Sequence, residues 1–212
     1  MGRRALRKID PELDLSSHFR TVDELPSPFD PVNLFGRKAP IEIEIGSGKG
    51  LFLQNVATGN PDHDFLGIEV SRKYARFTAA RLAQRELPNA IAVHGDGLRL
   101  FHELLPEAAL FAVHVYFPDP WWKKRHHKRR VMTASLLADV VRTLQPAGRL
   151  HFWTDVMAYF DATLELIAET TLIGPLDVRE QPAEHDLDYH THFERRTRLA
   201  EKPVYRAEFK KA

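Results

Sequence analysis

The chain of 212 residues contains no cysteine. Disulfides, thiolate nucleophiles and cysteine zinc sites are therefore excluded, and the composition permits a reducing compartment. No apolar run reaches the ~20 residues that a membrane-spanning helix needs, because the longest, residues 108–117, has about half that length. The basic start is followed by Asp10-Pro-Glu, where a signal peptide has its apolar segment. We therefore expect a cytoplasmic protein with no membrane partner.

A large net charge is also lacking, since 30 Lys and Arg nearly balance 29 Asp and Glu. Any affinity for nucleic acid must then come from local clustering. Residues 123–130 are all Lys, Arg or His, and they follow two prolines, an aspartate and two tryptophans. For this basic run alone, a solvated loop and a segment that contacts nucleic acid remain equal alternatives, because charge runs are usually solvated.

The length suits one domain with a full core. We expect residues 1–38 to form an extended or partly disordered, basic and proline-rich segment, and residues 39–212 to form the domain. Predicted strands cover residues 41–45, 65–70, 90–94, 110–117, 149–154, 176–179 and 205–209. Predicted helices cover residues 51–57, 72–85, 98–105, 133–144 and 156–170. This alternation predicts a single doubly wound α/β domain, with helices on both faces of a mostly parallel seven-stranded sheet.

A glycine-rich turn closes the first strand of this domain. Its sequence, Glu-Ile-Gly-Ser-Gly-Lys-Gly at residues 44–50, has glycines at alternate positions. Such glycines let the backbone approach a ligand closely, so Gly46 and Gly48 are candidate ligand-binding positions. The spacing matches neither the Gly-x-Gly-x-x-Gly of dinucleotide enzymes nor a P-loop, which disfavours a nicotinamide dehydrogenase. A purely structural turn is the alternative.

Acidic residues stand at or beside the ends of four successive predicted strands: Glu44, Glu69, Asp96 and Asp119. Ligands of open α/β sheets bind at these strand ends. Glu69 is placed to accept hydrogen bonds from two ribose hydroxyls, Asp96 to meet an adenine amino group and Glu44 to meet an ammonium group. Several acids would repel a pyrophosphate and favour a cationic ligand. S-adenosylmethionine has this combination of ribose, adenine and a cationic amino acid.

Several motifs together resemble those of the bacterial tRNA (guanine-N7-)-methyltransferase family. They are Glu44-Ile-Gly-Ser-Gly, Leu66-Gly-Ile-Glu-Val, Phe117-Pro-Asp-Pro-Trp with the basic run after it, Thr154-Asp, and Thr191-His-Phe-Glu. The resemblance implies a Rossmann-like fold and methyl transfer from S-adenosylmethionine to N7 of guanine 46 in the tRNA variable loop. It implies tRNA as the partner, no metal, no obligate protein partner, and a monomer or homodimer.

The resemblance also assigns roles to residues. Glu44, Gly46, Gly48, Glu69, Asp96 and Asp119 would bind the methyl donor, and Asp119 would also be catalytic. The positions that would bind the substrate are Lys123, Asp155, Thr191, His192, Phe193 and Glu194. Those that would contact RNA are Arg125, His126, His127, Lys128, Arg129 and Arg130. The chain departs from the family pattern at Trp122 and, after Glu194, in lacking a tail glycine.

Guanine N7 carries an in-plane lone pair and no proton, so its methylation needs alignment and charge stabilisation rather than a general base. We expect Asp119 to accept hydrogen bonds from the guanine N1–H and amino group, with Asp155 or Glu194 sharing the contact. Trp121 or Trp122 could stack on a base. The alternatives are a methyltransferase of the same fold acting on an exocyclic amine, and an RNA-binding protein that has lost catalysis.

Overall fold

The computed structural model describes residues 6–185 and 188–212. Within residues 124–128 it describes the side chains of Arg125 and His126. Two side chains predicted to contact RNA, those of His127 and Lys128, therefore lie outside the described part.

Eight strands form one sheet: β1 Phe19–Thr21, β2 Ile41–Ile45, β3 Asp64–Glu69, β4 Ala90–His94, β5 Leu110–Tyr116, β6 Leu144–Thr154, β7 Leu172–Leu176 and β8 Tyr205–Lys211. Their order across the sheet is β1-β4-β3-β2-β5-β6-β8-β7. Neighbouring strands from β1 to β6 are parallel, whereas β8 is antiparallel to both β6 and β7. The chain reverses its direction of winding between β2 and β5, which is where such sheets bind ligands.

Helices connect these strands: α1 Pro31–Phe35, α2 Leu51–Gly59, α3 Arg72–Ala83, α4 Gly97–Arg99, α5 Ala134–Thr143, α6 Met157–Ala168 and α7 His192–Leu199. A π-helical turn, Leu100–Leu104, continues α4, and 3-10 turns cover Val22–Glu24 and Lys124–Arg129. The predicted α/β class is confirmed. In the described part, no helix combines the length and apolar character that crossing a membrane demands.

The sheet has eight strands rather than the predicted seven, because β1 lies in the segment for which we expected no regular element. It pairs with β4, and the residues after it bury three apolar side chains, those of Val22, Leu25 and Phe29, in the main core. Burial of these side chains anchors the segment despite its prolines. The division of the chain at residue 38 remains a prediction.

The tail also differs from the prediction. We expected a strand over residues 176–179, but the strand found there, β7, covers Leu172–Leu176. Helix α7, which we did not predict, lies between β7 and β8. Pro175 is tolerated in β7 because this strand lies at the sheet edge, where a missing N–H is not needed for pairing.

The two faces of the sheet differ in polarity at β2. The isoleucines at 41, 43 and 45 alternate with Glu42 and Glu44, so the isoleucines point to one face and the glutamates to the other. The isoleucine face joins the main apolar core, against which α5 and α6 pack. On the glutamate face, α2 and α3 cover β3 and β4, and the segment around α7 lies over the ends of β5, β6 and β8.

Candidate active site

The glycine turn after β2 is open in front of two of its glycines. Gly46 and Gly48 have φ of +83° and +54°. A Cβ built at Gly46 would meet no atom within 4 Å, and one at Gly48 only the Gly46 carbonyl oxygen, at 3.9 Å. At Gly50, by contrast, a Cβ would lie 2.3 Å from Thr78 Cγ2. Gly50 therefore serves the packing of α2 on α3, whereas Gly46 and Gly48 leave space for a ligand.

Glu69, at the end of β3, braces this turn. Its Oε2 accepts a hydrogen bond from the Gly48 amide at 3.0 Å, and its Oε1 accepts one from the Ser71 amide at 2.9 Å. A carboxylate has about four lone-pair sites, so it can still accept from hydroxyl groups. Asp96, exposed after β4, accepts a hydrogen bond from the Leu98 amide at 2.9 Å. Their predicted roles with ribose and adenine remain predictions.

Glu44 is a buried carboxyl group without a counter-ion in the described part of the chain. Its residue is 3% exposed, and its Oε2 has no hydrogen-bond partner among the described residues. Burial, and then the nearby charge of Glu69, raise the pKa of Glu44 to about 8. An unpaired buried carboxyl group beside an open glycine turn is suited to receive a cationic ligand group.

The turn that carries Asp119 begins with an unusual backbone conformation. Phe117 has φ of +50°, which is rare for a bulky residue and is typical of functional sites. Its amide donates to the Trp153 carbonyl oxygen at 2.8 Å, which holds the turn on β6. Asp119 is exposed, and its charge contributes, after burial, to the raised pKa of Tyr159. The turn therefore presents Asp119 at the carboxyl end of β5.

The basic run folds back on this turn. Arg130 Nε donates to the Pro120 carbonyl oxygen at 2.8 Å. Arg129 lies over the Trp121 ring at 5.0 Å, and His126 meets the same ring edge-on, so Trp121 packs within the run. Trp122 is 69% exposed, and stacking of either tryptophan on a base remains a prediction.

Helix α7 links the Asp119 turn to the glycine turn. The Phe193 ring stacks on the Phe117 ring at 5.1 Å. Arg81 donates to His192 Nε2 at 3.1 Å and to the Lys49 carbonyl oxygen at 3.0 Å. The structure thus brings the 191–194 motif together with both turns.

The remaining predicted side chains lie beside these turns. Asp155 is partly exposed directly after β6, and Lys123 and Arg125 are exposed after the tryptophans. In the described part of the chain no group of three or more His, Cys, Asp or Glu is arranged to hold a metal ion.

Comparison with known proteins assigns this arrangement to a family. Residues 38–207 match the family model described as "Putative methyltransferase". The tRNA (guanine-N(7)-)-methyltransferase of Rhodopirellula baltica is 50% identical over an alignment of 218 residues, which covers all of this chain and 80% of that protein. The chain belongs to the tRNA (guanine-N7-)-methyltransferase family. A second member, from Alcanivorax borkumensis, is 37% identical over 79% of this chain and 70% of that protein. The chain spans 61% of a third, from Paracidovorax citrulli, at 38% identity.

Solved structures support the fold. The 16S rRNA methyltransferase KamB superposes with a TM-score of 0.63 over 85% of this chain and 91% of that one, at 17% identity. The aminoglycoside resistance methyltransferase NpmB1 superposes with a TM-score of 0.55 over 84% of this chain and 90% of that one, at 18% identity. At these identities the likeness shows the fold alone.

Within this family's Thr191–Glu194 motif, two side chains make internal contacts that the sequence did not reveal. The Thr191 hydroxyl accepts from the Glu194 amide at 2.9 Å, and Glu194 Oε2 accepts from the His190 amide at 2.7 Å. Glu194 is 1% exposed and also pairs with Arg198 at 3.3 Å and with Arg206 at 3.2 Å. Thr191 and Glu194 therefore fix the start of α7, and a direct contact of Glu194 with substrate remains a prediction.

Glu180 completes a ring of ion pairs with these residues. It lies 3.1 Å from Arg198 and 2.9 Å from Arg206. The ring, formed by Glu180, Glu194, Arg198 and Arg206, ties α7 and the preceding segment to β8. Sequence reasoning missed it because the spacing of four charges along a polar tail does not reveal which of them pair.

A cavity of about 360 Å³ lies on the glutamate face beside this ring. Glu42 and His114 line it 2.7 Å apart, and Glu42 also contacts His63 at 2.6 Å. Burial holds the pKa of His151, another lining residue, well below its usual value, so this side chain is neutral. Glu42, His63 and His114 therefore pair with one another, and among the described residues Asp119 does not line this cavity.

Proposed function

We propose that this protein transfers a methyl group from S-adenosylmethionine to N7 of guanine 46 in the variable loop of tRNA. The observation that carries the proposal is the meeting, at the carboxyl edge of β2 and β5, of an open glycine turn, an unpaired buried Glu44 and the exposed Asp119 turn. The names of the relatives indicate tRNA as the substrate and guanine N7 as the methylated atom. Position 46, a cytoplasmic location and a monomer or homodimer remain expectations.

The residues of the edge fit the methyl donor. When bound, S-adenosylmethionine supplies an electrophilic methyl group on a sulfonium sulfur. Glu44 would hold its ammonium group, Gly46 and Gly48 would admit it close to the backbone, and Glu69 and Asp96 would face its ribose and adenine. The protein has to orient these groups and to exclude water around Glu44. The burial of Glu44 already excludes water.

Binding of the methyl donor should release a proton from Glu44. With a pKa of about 8, this carboxyl group is mostly protonated in the free protein at neutral pH, and an ammonium group beside it favours the ionised form. We expect release of about one proton per ligand at neutral pH, measured by titration calorimetry in two buffers of different ionisation heat. The variant Glu44→Gln should abolish the buffer dependence, and equal heats in both buffers with the parent protein would contradict this role.

The same raised pKa affects stability. Because the folded protein holds this proton more tightly than the unfolded chain does, the contribution of Glu44 to stability falls as the pH rises from 4.5 to about 8. We expect the melting temperature of the free protein to fall less over this pH range in Glu44→Gln than in the parent. A larger fall of the melting temperature in the variant would be inconsistent with a protonated buried Glu44.

Asp119 would act on the guanine. Nucleophilic attack by N7 delivers positive charge to the purine, and a carboxylate that accepts from N1–H and the amino group becomes a stronger partner as that charge grows. No proton has to leave N7, so alignment and electrostatics are the whole task of the site. Trp122 provides a face for stacking, and the basic run binds phosphates without reading sequence.

A tRNA transcript that contains 7-deazaguanosine tests the atom that is methylated. This base keeps the amino group and N1–H but replaces N7 by a C–H group. We expect methyl transfer to the ordinary transcript and none to the deaza transcript, at equal binding of both. Equal transfer to both transcripts would instead identify an exocyclic amine as the acceptor, and binding without any transfer would identify an inactive RNA-binding protein.

A further inference from the structure

The amino-terminal half of α3 presents a row of cations to solvent. Arg72, Lys73 and Arg76 are exposed, and α3 contains no acidic residue. In the described part of the chain, no carboxylate forms an ion pair with Arg72 or Lys73. Glu24 lies close enough for Arg72 to lower its pKa slightly, although hydrogen bonds from Thr21 contribute more to that shift.

This placement opposes the electrostatics of the helix itself. The amides of a helix start carry partial positive charge, so acids are favoured in the first turn and cations are disfavoured. Arg72 and Lys73 are the first two residues of α3. Cations that weaken the end of their own helix are better explained by what they bind than by folding, since such local conflicts concentrate at functional sites.

The helix that carries this row also contacts the site already described. Further along α3, Arg81 bonds to both the glycine turn and His192 of α7. Phe193 of α7 stacks on Phe117 beside the Asp119 turn, and the exposed Arg196 lies over the Phe193 ring at 4.3 Å. Arg81 and Arg196 therefore add cations where α3 and α7 contact the glycine turn and the Asp119 turn.

We propose that Arg72, Lys73 and Arg76 form a second phosphate-binding surface for the tRNA, separate from the basic run. The inference rests on the proposed function, which makes tRNA the substrate. A guanine delivered to the carboxyl edge carries backbone on both sides, and the basic run lies on one side of the Asp119 turn. With a net charge of only +1, attraction for a polyanion must come from such patches.

A charge-matched pair of double variants tests the surface. Arg72→Ala/Lys73→Ala removes two cations at the carboxyl edge. Lys38→Ala/Lys210→Ala removes two at the amino edge, because Lys38 precedes β2 and Lys210 pairs with Arg149 near the start of the parallel part of β6. We expect the first pair to weaken binding of unmodified tRNA about tenfold at low salt and to reduce the slope of log Kd against log salt by roughly one to two.

The control pair should bind tRNA like the parent protein, and both pairs should keep the parent Kd for S-adenosylmethionine and the parent kcat at saturating tRNA. An unchanged tRNA Kd in Arg72→Ala/Lys73→Ala would overturn the inference. So would a weakened Kd for S-adenosylmethionine, since that result would place the two cations in the methyl-donor site. If the parent methylates tRNA while the variant binds it normally, only this inference fails; if the parent does not methylate tRNA, the proposed function fails as well.

Discussion

Replacing Asp119 by asparagine should lower kcat with tRNA by roughly 10²–10³-fold, the range for losing one group that stabilises transition-state charge. Asparagine keeps the size of the side chain but loses the negative charge and one of the two oxygens that accept hydrogen bonds. Because Asp119 is exposed on a turn held by Phe117 and Arg130, the substitution should leave the fold intact. Single-turnover methylation at saturating tRNA and methyl donor gives the chemical rate directly.

Asp161→Asn is the matched control, since Asp161 is an exposed carboxylate on α6, outside the turns of the site. It should leave the single-turnover rate unchanged, and both variants should retain the parent melting temperature. A rate for Asp119→Asn within a few-fold of the parent would remove Asp119 from the chemistry. Loss of methyl-donor binding as the main effect would make it a cofactor ligand only.

Replacing Arg206 by methionine should destabilise the protein by about 3 kcal/mol or more, the cost of breaking a buried ion pair from one side. Glu194 is 1% exposed and would lose one of its two arginine partners. Because Glu194 also fixes the start of α7, tRNA methylation should fall along with stability. Urea unfolding gives the change in free energy, and kcat and KM measured where both proteins are folded give the change in activity.

Arg179→Met, next to Glu180 in the segment between β7 and α7, is the control for this variant. Arg179 is exposed and lies 3.8 Å from an exposed Asp177, a pair of the kind that contributes at most about 1 kcal/mol. The double variant Glu194→Gln/Arg206→Met should lose less stability than the sum of its two single variants, because the charges are removed together. If Arg206→Met has the same urea midpoint of unfolding as the parent, the ring of ion pairs does not stabilise α7.

Hydrophobic periodicity predicted the central part of the fold well for a physical reason. Strands β2 to β5 and helices α2, α3, α5 and α6 bury regular apolar sides, and that regularity is visible in the sequence. Helix α7 has no such side, since its buried residues are Glu194 and Thr197 and its support comes from arginines. β1 has only three residues, all partly buried, and pairing rather than pattern defines it.

The same limit applied to the site. Acids at strand ends could be located from the sequence because parallel strands place their carboxyl ends at one edge. Their electrostatic states could not, because they depend on which neighbours lie across the sheet. Glu69 is hydrogen-bonded to the glycine turn, Glu44 has no counter-ion in the described part of the chain, and Glu194 is enclosed by arginines.

The most direct test of the proposed function is to incubate the parent protein with unmodified tRNA and labelled S-adenosylmethionine, and then to map the labelled nucleotide. We expect about one methyl group per tRNA, on N7 of the guanine at position 46 of the variable loop, and almost none with Asp119→Asn. A label on an exocyclic nitrogen, on another base, or on no nucleotide at all would contradict the proposal.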